Sequence, residues 1–156
     1  MRSTSTAVEL SLLALWLGAA LLFSAAVAPA LFATLPTRTL AGAVVGRILP
    51  VIFFSGMAVS IAVVALELYS HGNWSWRGRE VPASIAALSC AIAQLVVSPR
   101  IERLRADIGG VIETLAPDDA RRAAFGRLHG ISVAWLGLAM LAALAAAVMA
   151  GRDLRR

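Results

Sequence analysis

Apolar residues in this chain gather into four runs that contain no Asp, Glu, Lys or Arg: Leu10 to Phe32, Ile48 to Leu66, Val81 to Ser98 and Gly130 to Gly151. Each is 18 to 23 residues long. At about 1.5 Å per helical residue, that length spans roughly the 30 Å hydrocarbon core of a bilayer. A surface helix of a soluble protein keeps a charged or polar face, and these runs leave no place for charge. The pattern predicts an all-α integral membrane four-helix bundle. It reads as a single transmembrane domain over 1–156, with crossings at about 8–32, 47–69, 82–99 and 128–150.

The polar stretches set the connections. Ile101, Leu104, Ile108, Ile112 and Leu115 recur at spacings of three and four with charge between them, the mark of an amphipathic helix. That segment, about 100–116, is expected to carry the third helix beyond the membrane, loosened at Gly109 and Gly110. Pro117, Asp118 and Asp119 then read as the start of the last helix, with proline early, acids in the first turn and Asp118 placed to pair with Arg121 and Arg122. The third and fourth helices should therefore protrude as an antiparallel pair. Pro50 reads as a first-turn proline of the second helix, and Leu40 to Val45 as a separate, brief interfacial helix. At the N-terminus, Arg2 and the Ala26-Val27-Ala28 triplet imitate a secretory signal. Glu9, the length of the apolar run and Pro29 favour a retained first transmembrane helix instead.

Composition narrows the class further. Sixty per cent hydrophobic residues and a mean hydropathy of +0.82 fit one compact membrane domain. The formal charge of +5 comes from 14 basic residues, all of them arginine. They sit mostly beside the ends of apolar runs rather than in one basic stripe, which argues for membrane placement and against nucleic acid as a partner. Trp74 and Trp76, in the loop after the second helix, suit the headgroup region. An even number of crossings puts both termini on one face. The arginine balance leans towards a cytoplasmic larger loop, the expected location is a bacterial cytoplasmic (inner) membrane, and the absence of lysine beside so much alanine reads as the mark of a GC-rich genome. The lone Cys90 excludes an intrachain disulfide and any CxxC motif.

Two stretches carry a family resemblance. The first is Phe23-Ser24-Ala25-Ala26-Val27-Ala28-Pro29-Ala30-Leu31-Phe32, followed by Leu35-Pro36 and by Ala41-Gly42-x-Val44-x-Gly46-Arg47-Ile48-Leu49-Pro50. The second is Pro99-Arg100-Ile101 with Arg105, then Phe125-Gly126-Arg127-Leu128-His129-Gly130-Ile131-Ser132. Together they resemble the DUF4149, or transmembrane-protein-205-like, family of small four-helix membrane proteins, over nearly the whole chain. The resemblance implies four transmembrane helices and supplies no catalytic residues.

Ionisable groups at the edge of a membrane helix are candidates for function. Glu9 opens the first helix and Glu67 lies near the end of the second, with His71 one turn on. With Arg77 and Arg79 close in sequence, they read either as a proton- or cation-handling site or, more plainly, as interfacial acids paired with these loop arginines. Arg47 and His129 mark the other face, where His129 is expected to bond through Ser132 or a backbone carbonyl. His71 and His129 fall on opposite faces, roughly 30 Å apart, too far to share one haem iron. Cys90, Met57 and Met140 lie at similar depth, which suits Cu(I) but also ordinary packing. Small-residue rows at Ala20, Ser24, Ala28 and at Ala139, Ala143, Ala147 allow close helix approach, inside the bundle or against another protein.

No Ser-His-Asp set, HExxH, Walker loop or GxGxxG appears, so no catalytic residue, metal ligand or cofactor is assigned. The reading is a non-enzymatic accessory or structural subunit whose partners are the lipid bilayer and other integral membrane subunits or further copies of itself. The alternatives are a small transporter or channel for an ion or small solute, and a haem- or copper-binding membrane protein.

Overall fold

A computed structural model describes residues 2–71, 74, 78–109 and 112–155. Four long helices account for nearly all of it, and the protein is an all-α membrane bundle. Helix α1 comprises Arg2–Leu22, a π-helical segment Phe23–Val27 and Ala28–Thr34. Helix α2 runs unbroken over Arg38–His71. Helix α3 comprises Glu80–Ile92, a second π-helical segment Ala93–Val97 and Ser98–Ile108. A 3-10 turn at Ile112–Thr114 leads towards α4, Ala120–Asp153.

The prolines explain the irregular turns. Each π-helical segment ends two residues before a proline, Pro29 or Pro99. A proline ring clashes with the carbonyl four residues back and offers it no donor, and widening the turn to i→i+5 bonding relieves both problems. The widened turns are visible in the bonds Ala28 N–H to Phe23 O and Ser98 N–H to Ala93 O.

Three boundaries differ from those read off the sequence. Helix α2 begins at Arg38, not near residue 47, and absorbs the supposed interfacial helix Leu40 to Val45, so Pro50 lies inside it. Helix α3 stops at Ile108, because Gly109 adopts φ 76° as a left-handed cap, a geometry that favours glycine. The amphipathic pattern to residue 116 therefore does not continue as helix. Helix α4 starts after Pro117, with Asp119 as N-cap. Asp119, not Asp118, takes Arg121: its Oδ1 accepts from the Arg121 backbone N–H at 2.8 Å and from Nε at 3.1 Å.

Alanine-rich faces make the bundle tight. Ala83, Ala86 and Ala93 of α3 are fully buried with Ala139, Ala143 and Ala146 of α4, and Leu13, Phe53, Val63 and Cys90 fill the remaining space. Trp16 of α1 is buried against α2 and donates Nε1–H to the Ile52 carbonyl at 2.9 Å. That contact requires Gly56, where a Cβ would stand 2.5 Å from the indole ring. Met57 and Met140 pack at the margin of this cluster, so with Cys90 they sit as packing residues.

Candidate functional site

Polar chemistry collects at the two ends of the bundle. At the end carrying both termini, one guanidinium holds all four helices. Arg79, the residue preceding α3, is only 5% exposed. Its Nη1 lies 3.2 Å from Glu9 Oε2 of α1, and its Nη2 pairs with Glu67 Oε1 of α2. Nη2 also reaches Thr6 Oγ1 at 3.4 Å and Asp153 Oδ2 of α4 at 4.0 Å. Glu80 is buried beside this group, with Oε2 lacking a hydrogen-bond partner among the described residues. Glu9 and Glu67, picked out separately in the sequence, are thus brought together by Arg79. The paired-acid reading fits this geometry, and the pair is enclosed by the bundle rather than exposed. His71 ends α2 on this face, but its side chain lies outside the described residues, as do Trp76 and Arg77. Trp74 is exposed.

The opposite end is open. There the bundle encloses a cavity of about 390 Å3 between α2, α3 and α4, with Phe32 of α1 at its edge. Its organising residue is Arg105 of α3. The Arg105 guanidinium lies in a notch on α2 made by Gly42 and Gly46, one helical turn apart. A Cβ on Gly42 would stand 2.9 Å from Nη2, and one on Gly46 3.1 Å from Nη1. Nη2 donates to the Gly42 carbonyl at 3.1 Å. Nη1 lies 3.6 Å from Glu102 Oε1, and the guanidinium carbon sits 5.5 Å from the Phe125 ring centroid. Phe125 stacks on His129, with ring planes 3° apart and centroids 6.5 Å apart.

His129 therefore lines the cavity parallel to Phe125, and among the described residues it makes neither of the expected hydrogen bonds, to Ser132 or to a backbone carbonyl. Arg47 is exposed and outside the lining, whereas Arg38 and Arg122 belong to it. Arg79 is one of the loop arginines expected beside Glu9 and Glu67 and takes that place, whereas Arg38, Arg105 and Arg122 join a site that their own sequence positions do not announce. A signal for Arg105 was present, since Gly42 and Gly46 on one helix face invite a close approach. The small-residue rows split. Ala139, Ala143 and Ala147 are buried in the bundle, while of the α1 row Ala20 is buried and Ser24 exposed, with Ala28 between. Among the described residues no group of three or more His, Cys, Asp or Glu is placed to hold a metal ion.

Four apolar spans packed around an alanine-rich core define a small integral membrane bundle. Residues 11–109 match the family described as a domain of unknown function, DUF4149, and the chain belongs to that family. The match takes in α1 from Ser11 onward, α2, the Gly42–Gly46 notch and Arg105, and ends before Phe125 and His129. No curated protein and no solved structure matches the chain.

Proposed function

We propose that this protein is a non-enzymatic component of a larger membrane assembly, an accessory subunit that packs against another integral membrane protein. The observation that carries the reading is the two-sided character of α4. Its inner row, Ala139, Ala143 and Ala147, is consumed by the bundle. In its outer row Gly130 and Ala134 are exposed and Gly137 is half-buried, and a Cβ built at either glycine meets nothing within 4 Å. These positions fall on one helix face at i, i+4 and i+7. Small residues so spaced let a second helix approach closely in lipid, where dispersion and interhelical contacts drive association. A bacterial cytoplasmic membrane is the proposed location, on composition alone.

A transporter or channel reading gains less support, because the middle of the bundle is packed with Leu13, Phe53, Val63 and Cys90, all fully buried. Native purification in mild detergent with mass spectrometry tests the proposal. Stoichiometric recovery with another membrane protein is expected, and Gly130→Leu should abolish it. The leucine enters open space and helix propensity rises, so the variant itself should fold. A homogeneous particle of this chain alone, unchanged by Gly130→Leu, would sink the accessory role.

A further inference from the structure

The cavity at the open end combines two surfaces that suit one kind of ligand. Val45, Leu49 and Ile101 give it apolar walls, while Arg38, Arg105 and Arg122 bring three cations against the single carboxylate of Glu102 among the lining residues. The three cations are only partly committed. Among the described residues Arg38 makes no hydrogen bond or ion pair, and Arg122 reaches only the exposed Leu115 carbonyl at 3.4 Å. Arg105 has five donors in its guanidinium fork and uses few of them on Gly42 and Glu102.

Depth decides the ligand. The cavity is ringed by the ends of three apolar runs, with Leu49 just inside the second, Ser98 closing the third and Ser132 just inside the fourth. The Arg105 guanidinium sits at the level of Gly42 and Gly46, six and two residues before Ile48. At the helical rise that is about 3 to 9 Å outside the hydrocarbon boundary. The headgroup layer of one leaflet occupies roughly 5 to 8 Å beyond the same boundary. The cation therefore lies at phosphate depth, with apolar wall directly below it at acyl-chain depth.

We propose that this cavity is a binding site for an anionic membrane lipid. The phosphate is held by Arg105 together with Arg38 and Arg122, and the upper acyl segment lies against Leu49 and Ile101. Basic pockets between transmembrane helices take phosphate headgroups in this way, and the guanidinium fork suits phosphate oxygens. A cavity of about 390 Å3 takes the headgroup and the first part of the chains, leaving the tails in the bilayer. Gly42 and Gly46 serve the site by letting the Arg105 guanidinium rest against helix backbone, pre-positioned between Phe125 and the lipid phosphate.

The test uses the full chain, delipidated in detergent and offered phosphatidylglycerol or phosphatidylcholine of matched acyl chains, with retained lipid read by native mass spectrometry. Phosphatidylglycerol is expected to be retained about tenfold more strongly. The double variant Arg38→Gln/Arg122→Gln, both at exposed positions, should abolish that roughly tenfold preference, since two of the three cations that favour an anionic headgroup are gone. Gly42→Ala should weaken retention as well by displacing the Arg105 fork. Equal retention of the two lipids overturns the proposal, as does full retention in the double variant. Inorganic phosphate that competes as well as the lipid would show a soluble-anion site and overturn the lipid assignment.

Discussion

Arg79 and Arg105 are both arginines at the end of α3, one at each edge of the membrane, and they do opposite work. Arg79 is sealed: its charge is answered by Glu9 and Glu67 from two other helices, and its side chain is 6% exposed. Arg105 is left partly open at 23%, with one carboxylate of its own helix, a carbonyl and an aromatic face for company. Burial with matched carboxylates turns a guanidinium into a structural tie that breaks at high cost. Glycines that admit a guanidinium to a helix surface without matching its charge leave it available to a ligand. The same side chain becomes scaffold or site according to what stands opposite it.

The largest effect expected from this contrast is on stability. Arg79→Gln leaves Glu9 and Glu67 buried without their counter-charge and should cost about 3 to 5 kcal/mol, read as a large drop in the unfolding midpoint in detergent. Glu9→Gln/Glu67→Gln/Arg79→Met, which removes the charges together, should recover much of that loss. Arg105→Gln should cost only about 1 to 2 kcal/mol, for a hydrogen bond and a cation–π contact. Equal losses for Arg79→Gln and Arg105→Gln would break the distinction between tie and site.

A pair of glycines sharpens it. Gly56→Ala drives a methyl into the buried Trp16 ring, and overpacking of this kind costs about 1 to 3 kcal/mol. Gly42→Ala meets only the flexible end of Arg105. It should leave the midpoint almost unchanged, because alanine's better helix propensity, about 1 kcal/mol, offsets the displaced bond. If Gly42→Ala destabilises as much as Gly56→Ala, the open end is as tightly built as the core.

The smallest effect concerns the N-cap of α4, outside the membrane-spanning segment. The Arg121 side chain, and next its backbone N–H, hold the Asp119 carboxyl below its ordinary value of 3.8. A carboxyl depressed by folding adds stability that is complete above its unfolded value and fades as the pH falls through the folded one. The protection of amides in the first turn of α4, that is, how far their exchange is slowed relative to the intrinsic rate at the same pH, should therefore be flat above about pH 3.8 and fall only below it. Asp119→Asn should flatten that acid response while keeping a cap. An acid response that persists in Asp119→Asn would place its origin elsewhere.

The spans were legible because lipid demands uninterrupted apolar length, and that demand is written directly in residue order. The start of α2 was not, because Pro50 imitates a helix-start signal although the true break lies at Pro36 and Thr37, before Arg38. In a long membrane helix, neighbouring groups accommodate an interior proline, so the residue loses its value as punctuation. The acids of the closed end were legible as charges out of place in apolar helices. Arg79 was legible as a loop arginine near Glu67, but its burial was not, since a cation beside a helix end is ordinary and only the fold encloses it. At the open end His129 was picked out, while Arg38, Arg105 and Arg122 were counted as flanking charge. Their convergence depends on how three helices meet beyond the apolar runs, which no single run encodes.

The tie at Arg79 also fixes an order of events during synthesis. Glu9 leaves the ribosome 70 residues ahead of the arginine that answers it, and a lone ionised carboxylate is costly once buried among helices. The first two helices therefore reach the membrane carrying acids in debt to a cation not yet made. Their carboxylates must wait near the water until Arg79 arrives with the third helix and draws both helices in. The last helix then docks its alanine face on a trio already clasped. Separated from the rest of the chain, the N-terminal hairpin should insert poorly, and supplying the third helix as a separate peptide should restore it.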